Sequence, residues 1–330
     1  MIHPLGILTH PLSYLTGSGA QTAAVLPLMW YSLIVSIVVT LIISALVVGA
    51  AVKGRAPDRA GHRADDVRAI AVDRRTGGVR WIWIGVGISM VPLLVSLVWT
   101  VAVLADVGPL PAKPPLTIDI GAHQWWWDAE YSGATPDQRF HTANEIHIPV
   151  GQRVLLRLAS VDVIHSFWVP RLAGKMDVIP GQTNLTWVEA RTPGRYRGQC
   201  AEFCGYQHAH MAFDVVAEPP AAFEAWRQGQ LRPAPAALTP AQMRGLGIVE
   251  YRCSLCHAVR GTAAGSNAGP DLTHLMSRAT IAAGTLPNNP SALSGWIENP
   301  QASKPGALMP NQALGGQQLT DLRAYLETLR

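Results

Sequence analysis

Histidine and methionine surround the first of two closely spaced cysteine pairs in this 330-residue chain. Cys200 and Cys204 are followed by His208 and Met211, and His165 lies upstream. Thiolate, imidazole and thioether are soft ligands that favour copper over hard cations. Zinc is the alternative for two cysteines and two histidines, but a zinc site has no use for Met211. The pattern therefore predicts a copper site.

The second pair, Cys253 and Cys256, is followed directly by His257. This C-x-x-C-H spacing is typical of covalent haem attachment, in which both cysteines form thioethers and the histidine binds the iron. By itself the pentapeptide could also be half of a zinc site. Disulfides are a further alternative for four cysteines in an exported protein. The tight spacing and the neighbouring ligands favour metal and haem chemistry.

Two segments, residues 26–52 and 81–105, contain no charged side chain. At about 1.5 Å per residue, either would form a helix of roughly 37–40 Å, enough to cross a bilayer core of about 30 Å. The alternative is a buried core helix, which seldom runs this long without a charge. The sequence therefore predicts a transmembrane helical hairpin over residues 26–107, after an N-terminal segment of residues 1–25.

The positive charge is confined to one part of the chain. Between Lys53 and Arg80, eight basic residues face four acidic ones, an excess equal to the net charge of +4 for the whole chain. By the positive-inside rule this loop is cytoplasmic, and the following domains lie on the other side of the membrane. Nothing in this distribution indicates nucleic-acid binding.

Beyond the hairpin, composition divides the chain into three parts. Residues 116–218 contain short β-prone runs separated by Pro and Gly, which predicts an all-β sandwich or barrel. Residues 219–238 are rich in Pro and Ala and read as a semi-stiff linker. Residues 239–330 look helical, ending in a helix from Leu319 with Leu322, Leu326 and Leu329 on the same face and Thr320 or Gln318 available as a cap.

The copper motif resembles the CuA site of cytochrome c oxidase subunit II. The chain carries C-x-E-x-C-x-x-x-H-x-x-M from Cys200, preceded by His-Ser-Phe-Trp-Val-Pro from His165. It also carries the related motifs His-Gln-Trp-Trp-Trp from His123, Gly-Lys-Met-Asp-Val-Ile-Pro-Gly from Gly174 and Pro-Gly-Arg-Tyr-Arg-Gly-Gln from Pro193. The resemblance covers about residues 26–230 and implies a cupredoxin-like sandwich.

This resemblance also implies the roles of individual residues. Both cysteines would bridge two copper ions, with His165, His208, Met211 and the carbonyl of Glu202 as the remaining ligands. The Glu202 side chain would also face a magnesium ion at the boundary with subunit I. Trp125 resembles the aromatic residue at the electron-entry surface above the copper; the alternative is an ordinary buried aromatic cluster with Trp126 and Trp127.

The C-terminal part resembles class I cytochromes c. Gly269-Pro270-Asp271-Leu272 resembles the loop that supports the proximal histidine, and Leu308-Met309-Pro310 resembles the loop of the distal ligand. The resemblance makes Met309 the sixth iron ligand, with Met276 and His274 as competitors. The expected fold class is therefore multidomain: a two-helix transmembrane hairpin, an all-β cupredoxin-like sandwich and an all-α class I cytochrome c domain.

Together these resemblances imply a subunit through which electrons enter a haem-copper terminal oxidase. Electrons would pass from cytochrome c or another donor through covalent haem c and dinuclear CuA to subunit I, which reduces oxygen to water with proton pumping. Subunit III, the lipid bilayer and a bacterial inner-membrane location with periplasmic domains complete this expectation. The alternatives are the CuA subunit of a nitric oxide reductase and a stand-alone membrane-tethered electron carrier.

Overall fold

The computed structural model describes residues 12–53 and 78–330. Its two longest helices are α1, Ala20–Lys53, and α2, Gly78–Val107, with mean hydropathies of 2.8 and 2.3 over their most apolar windows. Neither has a buried residue, as expected for helices whose apolar surface faces lipid. The hydroxyls of Ser32, Ser36 and Thr40 donate hydrogen bonds to carbonyls one turn earlier, which satisfies them within an apolar helix.

Two membrane-spanning helices were predicted, and the structure agrees. Tyr31 of α1 lies 5.6 Å from Trp99 of α2 between ring centroids, and its hydroxyl donates to the carbonyl of Pro92 over 3.2 Å. Most of the basic loop between the two helices lies outside the described residues.

The next region is a sandwich of two five-stranded sheets. Its strands are β1 Thr117–His123, β2 Trp126–Tyr131, β3 Phe140–Ala143, β4 Glu145–Pro149, β5 Val154–Ser160, β6 His165–Trp168, β7 Met176–Val178, β8 Asn184–Val188, β9 Gly194–Cys200 and β10 Ala212–Glu218. The sheet orders are β3-β2-β1-β5-β8 and β4-β10-β9-β6-β7. Alternate residues of β1 and β2 are buried, as expected for strands with one face on a core.

An aromatic cluster fills the sandwich beneath the copper motif. Trp127 is fully buried and contacts Phe167 and Phe213 at centroid distances of 5.6 and 5.3 Å. Such rings bury large apolar areas and fix one another's orientation. These ring contacts therefore hold in place the strands that carry the predicted copper ligands.

The segment expected to be a linker begins with a helix, α3, Pro220–Gln230. Its Trp226 stacks on His147 with a centroid distance of 4.0 Å and an angle of 6°, and it also contacts Tyr131. The amphipathic pattern around Phe223 explains the helix, because that residue is buried in the sandwich core. Between Gln230 and Thr239 the structure has no regular element.

The C-terminal region is mainly helical. Its elements are α4 Pro240–Ile248, a π-helical turn Val249–Cys253, β11 Thr280–Ile281, β12 Leu286–Pro287, α5 Pro290–Glu298, α6 Pro300–Ser303 and α7 Gly316–Leu326. The two-residue strands form a minimal hairpin in an otherwise helical domain. α4 crosses α7 closely at Gly245, where a side chain would collide with the carbonyl oxygen of Asp321.

The last helix begins slightly earlier than predicted. Gly315 precedes this helix, and the N–H of Gly315 donates a hydrogen bond to the Gln318 side chain over 3.0 Å. The hydroxyl of Thr320 instead donates to the carbonyl of Gly316 inside the helix, so Thr320 is not the cap. Leu322 and Leu326 are buried as the periodicity indicated.

Candidate copper and haem sites

Sheet pairing brings the predicted copper ligands together. His165 begins β6, Cys200 ends β9, and these neighbouring strands pair antiparallel. The chain then forms a loop with a short 3-10 helix, His208–His210, and returns through Met211 to β10. The N–H of Cys200 donates to the carbonyl of Met211 over 2.9 Å, which closes the base of this loop.

The ligand atoms converge on the two sulfur atoms. The Sγ atoms of Cys200 and Cys204 lie 3.8 Å apart. The His165 Nδ1 lies 3.8 Å from Cys200 Sγ, and the Glu202 carbonyl oxygen lies 3.3 Å from the same sulfur. On the other side, His208 Nδ1 and Met211 Sδ lie 3.6 and 3.7 Å from Cys204 Sγ. Each cysteine therefore lies beside its own histidine and one weaker candidate ligand.

Burial and charge make this cluster suited to a metal. His165, Cys200, Cys204 and Met211 are all buried. The hydrogen bond between the sulfur atoms lowers the pKa of Cys200 to about 3, with help from His165, and raises the pKa of Cys204. The second thiol would lose its proton only beside a compensating positive charge, which a bound cation would supply.

Asp162 fixes the orientation of one histidine ligand. Its Oδ1 lies 2.8 Å from His165 Nε2, and its Oδ2 accepts a hydrogen bond from the N–H of Gln124 over 2.6 Å. Burial favours the neutral acid, but the His165 contact and the hydrogen bonds from the N–H groups of Val163 and Gln124 together outweigh it and lower the pKa of Asp162. A carboxylate on the remote nitrogen is the usual partner of a metal-binding histidine. It leaves the Nδ1 of His165 directed at Cys200.

Neighbouring residues that could compete as ligands have other contacts. His210 is exposed and its Nδ1 lies 2.8 Å from the Gln207 side chain. His123 stacks on Trp126 at 4.2 Å, and burial lowers its pKa. Among the described residues, His165, Cys200 and Cys204 are the one group of such side chains whose ligand atoms all lie within 4.8 Å.

The candidate haem site is built around His257. Its Nδ1 lies 2.7 Å from the carbonyl oxygen of Pro270. Because a carbonyl can only accept, this nitrogen carries the proton and Nε2 is left with its lone pair. Burial lowers the pKa of His257, which keeps the ring neutral and able to bind iron. A side chain at Gly269 would lie 2.9 Å from the His257 ring, so this glycine permits the loop's close approach.

The other predicted haem-binding residues are partly buried or exposed. Cys253 is partly buried and Cys256 is exposed. Met309 is partly buried against the C-terminal core, as is its competitor Met276. His274, the third candidate, has its Nδ1 2.9 Å from the main-chain oxygen of Arg330.

Known proteins resemble the two domains separately and together. The family model for the cytochrome C oxidase subunit II periplasmic domain matches residues 134–218, and the model for cytochrome c matches residues 227–330. Cytochrome c oxidase subunit 2 of Alkalihalophilus pseudofirmus is 37% identical over 247 residues, which is 74% of this chain and 70% of that protein. The chain belongs to the cytochrome c oxidase subunit 2 family.

Two further proteins named as this subunit are similar to the chain. Cytochrome c oxidase subunit 2 of Bacillus sp. (strain PS3) is 32% identical over 266 residues, 76% of this chain and 73% of that protein. The crystal structure of the periplasmic domain of subunit II of cytochrome oxidase (CoxB) of Bradyrhizobium japonicum is 30% identical, with a TM-score of 0.34, and covers 37% of this chain and 96% of that one.

Membership of the cytochrome c oxidase subunit 2 family makes the chain a component of a haem-copper oxidase, an oxidoreductase. Its two apolar helices and its periplasmic-type domain fit a membrane-anchored subunit. The family implies CuA and the cytochrome c domain implies haem. The expected fold class is confirmed.

The residues present fit both groups. The copper cluster offers two cysteine sulfurs 3.8 Å apart, with two imidazoles and a thioether each 3.6–3.8 Å from one of these sulfurs. In the cytochrome domain, Leu255 and Leu308 are exposed apolar side chains beside the predicted haem ligands. Exposed leucines at these positions suit contact with a large apolar group.

Trp125 is covered by the cytochrome domain, through Lys304 and Gly306. It is 8% exposed. Its indole N–H donates to the carbonyl of Cys204 over 2.9 Å, and its own carbonyl accepts from Lys304 over 2.6 Å. A side chain at Gly306 would lie 3.5 Å from the Trp125 ring. Nothing in the sequence indicated that Lys304 is buried, since an isolated lysine ordinarily lies at the surface.

Proposed function

We propose that the chain is the subunit through which electrons enter a terminal oxidase. Electrons would pass from a donor through covalent haem c and dinuclear CuA to subunit I, for reduction of oxygen to water with proton pumping. The observation that carries this proposal is the position of Trp125, between the Cys204 carbonyl and the loop that leads to Met309. The two candidate centres thus approach each other through one aromatic side chain.

The proposed ligands divide between the two domains. CuA would be held by the side chains of His165, Cys200, Cys204, His208 and Met211 with the carbonyl of Glu202, and haem c by Cys253, Cys256, His257 and Met309. When bound, each group takes up and releases one electron at a time. We further propose that the exposed Glu202 side chain contributes to a magnesium site at the boundary with subunit I.

The chain's own residues would position these groups and limit access to them. Asp162 orients His165 through a 2.8 Å contact, and the Pro270 carbonyl orients His257 through a 2.7 Å contact. The buried aromatic cluster of Trp127, Phe167 and Phe213 supports the copper-bearing strands and keeps water from beneath them. A fixed, dry environment reduces the rearrangement that accompanies a change in charge.

The surroundings of the chain follow from the same proposal. The hairpin, residues 26–107, would sit in the bacterial inner membrane, with the copper domain (116–218), the linker (219–238) and the haem domain (239–330) on the periplasmic face. Subunits I and III would be its membrane partners. Cytochrome c or another redox protein would be the donor.

Ligand variants in the purified oxidase test this function. We expect Cys200→Ser and His208→Asn to lower the copper content and to stop oxygen uptake with the donor, while His210→Asn serves as the matched control and leaves both unchanged. Cys253→Ala with Cys256→Ala should remove the haem that stays with the chain on a denaturing gel. Normal oxygen uptake after loss of the Cys200 ligand would contradict the proposal, and nitric oxide consumption without oxygen uptake would favour the reductase alternative.

A further inference from the structure

Lys304 is a buried lysine at the contact between the copper domain and the cytochrome domain. Only 3% of it is exposed. Its Nζ donates to the carbonyl of Trp125 over 2.6 Å and to the carbonyl of Ala282 over 3.2 Å. The first carbonyl belongs to the sandwich and the second to the cytochrome domain. One side-chain nitrogen therefore joins the main chains of both domains.

Burial of this group has a cost that surface lysines avoid. The other lysines of the chain, Lys53, Lys113 and Lys175, are exposed. Burial lowers the pKa of Lys304 to about 7, as expected when an ammonium group leaves water without a carboxylate partner. Its amine can donate hydrogen bonds in either protonation state. The two carbonyls at the contact explain why a donor is useful at this buried position.

The contact lies between the two candidate redox sites. Lys304 precedes Met309, the candidate distal ligand, by five positions. On the far side of the same contact, the Trp125 indole and the Gln124 side chain both donate to the Cys204 carbonyl, over 2.9 and 2.7 Å. The lysine thus connects the haem-ligand loop to the residue that is itself fixed to the copper loop.

Further hydrogen bonds on either side give this contact a definite register. The Gln207 side chain donates to the carbonyl of Pro305 over 2.8 Å. The N–H of Ala212 donates to the carbonyl of Ala283 over 3.1 Å. The donors come from the copper domain and the acceptors from the cytochrome domain, while Lys304 donates in the opposite direction. Hydrogen bonds donated in both directions between the two domains define one relative orientation of the domains better than a single apolar contact would.

We propose that Lys304 is a positioning residue for electron transfer between the two domains: it fastens the loop carrying Met309 to the main chain of Trp125, so that transfer occurs in one fixed arrangement. The proposal rests on the proposed function above. The step moves one electron from ferrous haem, which becomes ferric, to the oxidised copper pair, which is reduced by one electron. Lys304 forms and breaks no covalent bond in it.

If this contact were lost as a whole, with Lys304 and its neighbouring hydrogen bonds, the cytochrome domain would depend on its tether. The eight residues 231–238 would span about 25 Å if extended at ~3.1 Å per residue. A tether of this length keeps the domain nearby at an effective concentration in the millimolar range. Transfer would then continue, but each event would require the domains to dock again, and displacement of reacting groups by about 1 Å already slows reactions strongly.

The test compares Lys304→Met with the wild type and with Lys113→Met, a matched control at an exposed lysine. Met approximates the length of the side chain but donates no hydrogen bond. Haem c is reduced by a laser flash in the purified complete oxidase, and its reoxidation by the copper is followed at two solvent viscosities. Hydrogen exchange at residues 282–284 and 204–207 reports the contact independently of electron transfer. Iron and copper contents verify that both sites are filled.

For Lys304→Met we expect transfer about tenfold slower or more, the scale for loss of hydrogen bonds from a buried charged donor. We also expect a new dependence on viscosity and faster exchange at the contact, with haem and copper spectra unchanged. Lys113→Met should match the wild type. An unchanged rate, or a slower rate with unchanged exchange, would overturn the proposal. Failure of the proposed function would look different, since wild-type haem would then not reduce the copper at all.

If Lys304→Met fails to accumulate, Lys304→Gln provides the second comparison. Its shorter side chain retains a donor but reaches less far, so we expect an intermediate rate and intermediate exchange. A Gln variant with the wild-type rate, viscosity response and exchange would also overturn the proposal.

Discussion

The copper site and the haem site are built in different ways. The proposed copper ligands come from the start of β6, the end of β9 and the loop that follows it, and four of their side chains are buried. Their donor atoms lie within 3.3–3.8 Å of a cysteine sulfur. The haem residues come largely from one short motif, and Cys256 together with Leu255 is exposed. We therefore expect the sandwich to keep its framework without a metal, and the cytochrome domain to need haem to complete its core.

The largest expected effect concerns this reliance on haem. Cys253→Ala with Cys256→Ala should lower the free energy of unfolding of the cytochrome domain by about 4 kcal/mol or more, the scale for losing a ligand held at a thousand times its Kd. Hydrogen exchange in α4 and α7 measures it. In the control, Cys200→Ser with Cys204→Ser, the sandwich should keep its protection. Equal loss of protection in both domains would contradict the contrast between them.

The second prediction tests the framework of the copper domain. Trp127→Ala removes a fully buried ring that contacts Phe167 and Phe213. We expect the free energy of unfolding of the sandwich to fall by about 3–5 kcal/mol, together with its copper content. Denaturant titration with copper analysis measures both. Full copper binding in a strongly destabilised variant would show that the ligand loop does not depend on the aromatic cluster.

A smaller effect should follow from Asp162→Asn. The amide can still accept from Gln124, but it no longer offers a carboxylate to His165. Copper affinity should fall about 10–100-fold, the usual consequence of losing such a partner. Competition with a copper chelator measures it, with Asp137→Asn at an exposed turn as the control. Unchanged affinity would mean that packing alone orients His165.

The smallest effect concerns a buried polar network under α3. His147 lies 2.9 Å from Glu218 and 3.1 Å from Glu145. Burial opposes protonation, but these contacts outweigh it and raise the pKa of His147. Its stabilisation is therefore complete below about pH 6.5, the pKa of an unperturbed histidine, and is lost as the pH rises through the higher folded value.

His147→Gln should remove that dependence. The free energy of unfolding of the sandwich, measured from pH 6 upward, should fall less steeply than in the wild type, by a total of about 1 kcal/mol. At acidic pH, Glu145 gives the free energy of unfolding the opposite pH dependence. Its contacts with His147 and Arg195 outweigh burial and lower its pKa to about 2. The folding stability that Glu145 contributes is therefore lost as the pH falls below the ordinary glutamate pKa and through this lower value. An identical slope in both proteins above pH 6 would contradict this role.

The sequence was most informative where ligands are close along the chain. Cys200, Cys204, His208 and Met211 fall on one loop, and Cys253, Cys256 and His257 on one turn, so spacing alone indicated their chemistry. The two membrane helices and the strands around Val154 and Asn184 were also predictable from composition and punctuation. These features depend on local pattern.

What sequence did not reveal depends on distant partners. Nothing around Lys304 indicates that its amine contacts Trp125, 179 positions away. The covering of Trp125 by the cytochrome domain and the stacking of Trp226 on His147 arise in the same way, from packing between elements. Local pattern identifies the ligands, while the contacts that hold the two domains together appear only in the fold.

The proposed function requires one chain to hold both a copper pair and a covalent haem. Metal analysis of the purified oxidase with low-temperature electron paramagnetic resonance, comparing wild type with Cys200→Ser, tests it most directly. We predict that the variant loses two copper ions and a delocalised mixed-valence copper signal while its covalent haem remains. Loss of a single copper, or no change in copper and signal, would contradict the claim.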